Sequence, residues 1–225
     1  MSSRPTKFTL YSGPLSMFGA KAQIAALEKG LTFDLIMVPY DSNLGYSPKH
    51  PEVLRVNPKG QVPVLVHGDL ELFDSTQIFE YLEDLQPEPT LWPRDIPGRA
   101  RARRLEHQSD EVYFPHIIRL MGLQKNLGDP IAMSSIAAAS AYYAEMERLL
   151  AVATWLAGDY SFADIAFYMA SLFGERQSAP ITASTPRLLE WRERMTRRSA
   201  VMPVVGAMAN WLLAAGRPVP EFMKQ

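Results

Sequence analysis

The run Asn57-Pro58-Lys59-Gly60-Gln61-Val62-Pro63-Val64-Leu65 restricts the fold of this chain more than any other stretch. Pro58 and Gly60 interrupt the chain ahead of an apolar segment, and Pro63 has no N–H to give to a sheet ladder. Val62 therefore falls at a bend, one whose X-Pro bond is open to the cis form, with its main-chain groups left outside the ladder. Unpaired main-chain groups beside a strand can take up an extended peptide. Asp74-Ser75-Thr76 then precedes Ile78, Phe79, Tyr81 and Leu82, whose spacing is helical, so a helix N-terminus carrying a carboxylate and a hydroxyl follows the bend. The free amides of such a terminus suit a carboxylate ligand.

The flanking pattern organises the first half. A strand is predicted over 7–12, a helix over 15–29 stopped by Gly30, and a second strand over 33–38. A weaker helix over 48–56 follows, then a hairpin of 64–66 with 71–73 turning through Gly68-Asp69, and a helix over 75–85. This order is thioredoxin-like and sets a first domain at 1–85. Residues 86–98 hold Pro87, Pro89, Pro93 and Pro97 and read as a semi-rigid linker. Beyond it, 99–123, 131–150, 161–173, 186–195 and 200–214 carry apolar positions at three- and four-residue steps, which predicts an all-α bundle over 99–225. The fold class is α/β followed by all-α. Within the bundle, Ser161 and Asp164 have the spacing of a capping box, so Asp164 reads as a stability residue.

Composition narrows the chemistry. With 225 residues, 47% of them hydrophobic, the chain can build a sizeable core, and a net charge of −1 gives no field to draw nucleic acid or an anionic membrane. The arginines at 99, 101, 103 and 104 lack interleaved aromatics and read as a solvated face. There is no run of 18 apolar residues and no apolar leader in Met1-Ser2-Ser3-Arg4-Pro5-Thr6, so a cytoplasmic location is expected. The chain has no cysteine, which excludes catalysis through a protein thiol. His50, His67, His107 and His116 show no metal-ligand spacing, and no metal is expected.

On the Asn-Pro-x-Gly-x-Val-Pro-x-Leu run and the Asp74-Ser75 helix start, the chain resembles the glutathione transferase family. The resemblance implies that the main chain of Val62, next to Pro63, pairs with the cysteinyl part of glutathione, while Asp74 and Ser75 hold its γ-glutamyl end. Gln61 belongs to the same cradle, and Lys59 and His50 can reach the glycyl carboxylate. Tyr113, Phe114, His116 and Met121 are candidates to line an electrophile pocket in the helical half, although such a stripe also suits bundle core. The implied protein is a homodimeric detoxification enzyme that joins glutathione, its co-substrate, to a small hydrophobic electrophile. A non-catalytic transferase-like module that binds protein, or a glutathione-dependent isomerase or dehalogenase, is the alternative. The Ser-Ser-Cys-Ser-Trp run of the zeta-type isomerases is absent, with Ser16-Met17-Phe18-Gly19-Ala20 in its place, which argues against maleylacetoacetate isomerisation.

Glutathione reacts as its thiolate, and lowering a thiol pKa from about 8.5 to about 7 takes roughly 2 kcal/mol. One hydrogen bond to a charged group supplies about 1.5–3 kcal/mol and a helix N-terminus about 0.3–1 kcal/mol, so a single hydroxyl is enough. Three compete between the first strand and first helix. Ser16 matches the serine of serine-type transferases, Tyr11 lies near the position used by tyrosine-type relatives, and Ser12 is the third. Ser16 as a plain N-cap and Tyr11 as a core aromatic are the competing structural readings.

Overall fold

The computed structural model describes residues 7–41 and 44–224; the N-terminal run examined for a leader lies outside them. The chain forms two compact units, Met1–Pro89 and Thr90–Gln225.

The first unit is β1 (Phe8–Ser12), α1 (Met17–Glu28), β2 (Phe33–Met37), α2 (Pro51–Val56), β3 (Val64–His67), β4 (Leu70–Phe73) and α3 (Ser75–Leu85). Its sheet has the order β2-β1-β3-β4, with β1 and β2 parallel and the β1–β3 and β3–β4 pairs antiparallel. This is the thioredoxin-like arrangement expected. Gly30 follows α1 at φ +64°, the left-handed conformation that ends a helix most easily on glycine. Leu10 and Leu65, opposite each other in the sheet, are fully buried, as are Ile24 of α1 and Ile78, Phe79 and Leu82 of α3. Alternation along the strands sends Tyr11 and Val64 to the other face, where they cluster with Val38 and with Val53 of α2.

The second unit is helical: α4 (Ile96–Gln108), a π-turn (Ser109–Tyr113), α5 (Phe114–Met121), α6 (Pro130–Leu149), α7 (Phe162–Arg176), α8 (Pro186–Thr196), α9 (Met202–Ala214) and a short 3₁₀ turn (Glu221–Met223). The single helix predicted over 99–123 is divided, and Pro115 gives the reason. Its nitrogen cannot bond the carbonyl four residues back, and the widened turn before it absorbs the missing bond. Part of the stretch expected to be a semi-rigid linker is packed into the helical unit. Leu91 and Trp92 are buried, the Leu91 carbonyl accepts from the Phe162 amide at 3.0 Å, and the Trp92 ring meets that of Phe162 edge-on at 4.8 Å. Pro97 lies in the first turn of α4, where no amide partner is needed.

All residues of α7 from Phe162 to Gly174 are buried, so this helix forms the centre of its unit. Phe167 lies 5.2–5.5 Å, centroid to centroid, from the rings of Tyr113, Tyr142 and Trp191. Asp164 is wholly buried at the start of α7. It accepts from the amides of Leu156 (3.0 Å) and Ser161 (3.1 Å), from the Trp191 indole N–H (2.9 Å) and from the Ser161 hydroxyl (3.4 Å). Burial pushes its carboxyl up to about 6, and those four donors keep it from rising further, so it is ionised at neutral pH. Removing it strands buried donors around one spot. Asp164→Ala is expected to lose about 3–5 kcal/mol in urea unfolding; a loss under about 1 kcal/mol would show that the network contributes little.

Candidate functional site at one end of the sheet

The sheet register gathers the candidate residues of the first unit. Tyr11 of β1 is paired with Val64 of β3, and Val64 with Phe73 of β4. One rung therefore joins the C-terminal end of β1, the N-terminal end of β3 and the C-terminal end of β4. From it the chain leaves three times at the same end of the sheet, toward Ser16, Val62 and Asp74-Ser75. Two strand spacings separate the outer exits by about 10 Å. An extended tripeptide covers about the same distance.

The three hydroxyls are placed differently. Ser12 is fully buried, and its Oγ accepts from the Gln23 side-chain amide at 2.8 Å. Tyr11 is buried against the ring of His50 (5.0 Å) and within the Val38, Val53 and Val64 cluster. Its hydroxyl pKa is raised by burial first and by Glu52 second, with Arg55 opposing, so the group is a neutral phenol at physiological pH. Ser16 is the N-cap of α1 and 8% exposed; its Oγ accepts from the Gly19 amide at 3.0 Å. Among the described residues nothing accepts from the Ser16 hydroxyl, whose hydrogen remains to be donated.

The cradle loop is held by a side chain that the sequence reading passed over. Asn57 is buried; its Oδ1 accepts from the Lys59 amide at 2.9 Å and its Nδ2 donates to the Gln61 carbonyl at 2.7 Å. The Gly60 amide closes the turn on the Asn57 carbonyl (2.7 Å), and Lys49 Nζ donates to the Gly60 carbonyl (2.8 Å). An Asn-Pro pair entering a tight turn is the available sequence signal for this role. Val62-Pro63 is cis, and the ladder begins only at Val64, which leaves the Val62 amide and carbonyl outside it. Lys59 and Gln61 are exposed beside it. His50 caps α2, its Nδ1 accepting from the Glu52 amide at 3.2 Å, so Nε2 is the ring nitrogen left for a ligand.

Asp74 caps α3, its Oδ1 accepting from the Thr76 amide at 2.9 Å, while Ser75 is buried as the first helical residue. Asp74 has φ +76° and ψ 131°, a conformation that costs a side-chain-bearing residue about 1–3 kcal/mol. The sharp turn from β4 into α3 imposes it.

The pocket candidates of the helical unit do not share one environment. Tyr113 is enclosed in the aromatic core with its hydroxyl 2.6 Å from that of Tyr143, and Phe114 packs on Phe173 at 5.4 Å. His116 is half-buried 3.2 Å from an Arg119 nitrogen; burial and that guanidinium both lower its pKa. Met121 is exposed. Helical periodicity does not separate enclosed positions from exposed ones, and here it selected both. Among the described residues, no group of three or more His, Cys, Asp or Glu side chains is placed to hold a metal ion, and no helix is long and apolar enough to cross a membrane.

Residues 10–90 match the family model described as the glutathione S-transferase N-terminal domain. Over 186 residues, 76% of each chain, the sequence is 31% identical to glutathione S-transferase Z1 of Arabidopsis thaliana, and the chain belongs to the glutathione transferase family. Shorter matches join it to glutathione S-transferase 1 of Dianthus caryophyllus (39% over 124 residues, 54% of this chain and 52% of that one) and to a stringent starvation protein A homolog of Coxiella burnetii (37% over 108 residues, 47% and 48%). The chain thus spans about half the length of these two relatives. A crystal structure of a glutathione S-transferase from Rhodospirillum rubrum F11 superposes with a TM-score of 0.74 at 26% identity, covering 88% of this chain and 91% of that one.

The strain at Asp74 separates two substitutions. Asp74→Ala loses the cap and keeps a side chain at positive φ, while Asp74→Gly relieves the φ and costs the cap only a few tenths of a kcal/mol. The glycine variant should be the more stable by about 1–2 kcal/mol in thermal or urea unfolding; equal stability would show that Asp74 carries no backbone strain.

Proposed function

We propose that this protein conjugates the glutathione thiolate to a small hydrophobic electrophile, with Ser16 donating the hydrogen bond that stabilises the sulfur anion. The observation that carries the reading is the Ser16 cap: the Gly19 amide occupies a lone pair of Oγ at 3.0 Å, leaving the O–H as donor at the N-terminus of α1. A thiolate placed there receives a charge-assisted hydrogen bond and the positive end of the helix dipole, which together meet the roughly 2 kcal/mol that ionisation at neutral pH requires. Tyr11 is a neutral phenol packed against His50, and Ser12 is fully buried, so neither offers the same combination.

In this mechanism the Val62 main chain aligns the cysteinyl part of the tripeptide, Asp74 and Ser75 take the γ-glutamyl end, and Lys59, Gln61 and His50 lie beside the glycyl end. The thiol proton leaves to solvent, the sulfur lone pair forms the bond to the electrophilic carbon, and the leaving group departs with its electron pair. No protein nucleophile is needed, consistent with a chain that has no cysteine. On the electrophile side the proposal keeps Phe114, His116 and Met121, since Tyr113 is enclosed. Homodimer assembly, a cytoplasmic location and a role in detoxification belong to the same proposal and rest on the family alone.

The similarity to a stringent starvation protein A homolog favours a second reading, a protein-binding module that keeps the fold without turnover. Retention on immobilised glutathione together with turnover of a chloronitroarene supports the enzyme; loss of both supports the module. Within the enzyme reading, Ser16→Ala should lower kcat/KM about 10- to 100-fold at neutral pH, with partial recovery as pH rises and the thiol ionises unaided. An unchanged rate and pH profile would remove Ser16 from the mechanism. Replacement of Ser75 by alanine is expected chiefly to raise the KM for glutathione, and unaltered calorimetric binding would count against that end of the cradle.

A further inference from the structure

We propose that Gly19, backed by Ser12 and Gln23, is a positioning residue that sets the orientation of the Ser16 hydroxyl; this rests on Ser16 acting as the thiolate's donor. A Cβ built on Gly19 would lie 2.1 Å from Ser12 Oγ, 3.0 Å from Ser12 Cβ and 3.2 Å from Ser16 Oγ. The first separation is too short to keep and the other two are tight, so the first turn of α1 sits against the end of β1 with no free space for a methyl group. The same residue gives its amide to Ser16 Oγ at 3.0 Å. The close approach of α1 to β1 and the hydrogen bond that orients Ser16 are thus made by one residue.

Ser12 cannot easily yield. Its side chain is fully buried, its Oγ accepts from Gln23 Nε2 at 2.8 Å, and its carbonyl accepts from the Val38 amide at 2.8 Å. Turning the hydroxyl away would leave the Gln23 amide buried without its acceptor. A methyl group at position 19 therefore acts on the helix instead, moving the Gly19 amide relative to Ser16 Oγ. Ser16 is held from both sides, its amide donating to the Gly13 carbonyl of the β1–α1 turn at 3.1 Å and its carbonyl accepting from the Ala20 amide at 2.9 Å, so a shift of Gly19 changes the geometry between its amide and Ser16 Oγ. The cap opens, and the hydroxyl loses the fixed direction in which its hydrogen is offered. Gln23, Ser12 and Gly19 thus form a column of contacts that ends at the proposed catalytic hydroxyl.

The test titrates the thiol of enzyme-bound glutathione by its ultraviolet thiolate absorbance, alongside kcat and KM with a chloronitroarene. Gly19→Ala is expected to raise the bound thiol pKa by about one unit and lower kcat about tenfold at neutral pH, with the KM for glutathione within about twofold. The double variant Ser12→Gly/Gly19→Ala, which clears both Ser12 atoms facing the new methyl, should return the thiol pKa toward that of the unaltered protein. A Gly19→Ala protein with an unshifted thiol pKa, or a rise in KM alone, overturns the inference, as does a double variant that folds but is not rescued. If Gly19→Ala does not fold, Gln23→Met, which keeps the volume and removes the donor to Ser12, carries the test: a raised thiol pKa supports the column and an unchanged one overturns it. Ser16→Ala distinguishes the layers. If Ser16→Ala leaves the thiol pKa unmoved, the Ser16 mechanism falls and this inference with it; if it shifts the pKa while Gly19→Ala does not, only the positioning role fails.

Discussion

The site depends on a single rung of the sheet, Tyr11 opposite Val64 and Val64 opposite Phe73. Because strand side chains alternate between faces, a slip of one residue would exchange the faces of the strand. Leu10 and Leu65, fully buried on one side, and Tyr11 and Val64, clustered with Val53 on the other, fix the register from both sides. With that rung fixed, the β1–α1 turn, the bend before β3 and the β4–α3 turn all leave the sheet at one end. Local devices then set each turn: the Ser16 cap, the Asn57 side chain bridging Lys59 and Gln61, and the Asp74 cap at positive φ. The core thereby fixes where the turns carrying Ser16, Val62 and Asp74-Ser75 leave the sheet.

The chemistry asked of this arrangement is small. A thiol whose ordinary pKa is about 8.5 lies within about 2 kcal/mol of ionising at neutral pH. A neutral hydroxyl is sufficient if it is oriented, and orientation is what the Gly19 amide supplies to Ser16. The Tyr11 ring is committed to packing beside His50, and its hydroxyl belongs to a strand residue and not to the N-cap of a helix. The helical unit holds its own shape by other means. A central α7, buried from Phe162 to Gly174, is anchored by Asp164, where one carboxylate gathers donors from Leu156, Ser161 and Trp191.

Much of the first unit was legible because its signals are local. Gly30, the Gly68-Asp69 turn, Pro63 and the Asp74-Ser75 helix start each mark a break that short-range chemistry requires, and the apolar residues between them have the period of a strand or a helix. The capping box at Ser161 and Asp164 was legible for the same reason. What stayed hidden depends on contacts distant in sequence. The segment carrying Leu91 and Trp92 looks like a linker until Phe162 is seen to receive it. Pro115 was lost within a helical period, which records apolar spacing but not the missing amide that converts a turn to the π form. Asn57 is unremarkable until both ends of its amide are found bonded to the loop it starts. Tyr113 shares its helical stripe with Met121, yet one is enclosed among aromatic rings and the other is exposed, a distinction periodicity does not make.

The most direct measurement is a crystal structure with glutathione bound. The account predicts the tripeptide lying across the end of the sheet, its cysteinyl main chain paired with that of Val62, its γ-glutamyl end at Asp74 and Ser75, and its sulfur within hydrogen-bonding reach of Ser16 Oγ. A sulfur seated instead against the Tyr11 hydroxyl, or a cradle that does not admit the tripeptide, would contradict it.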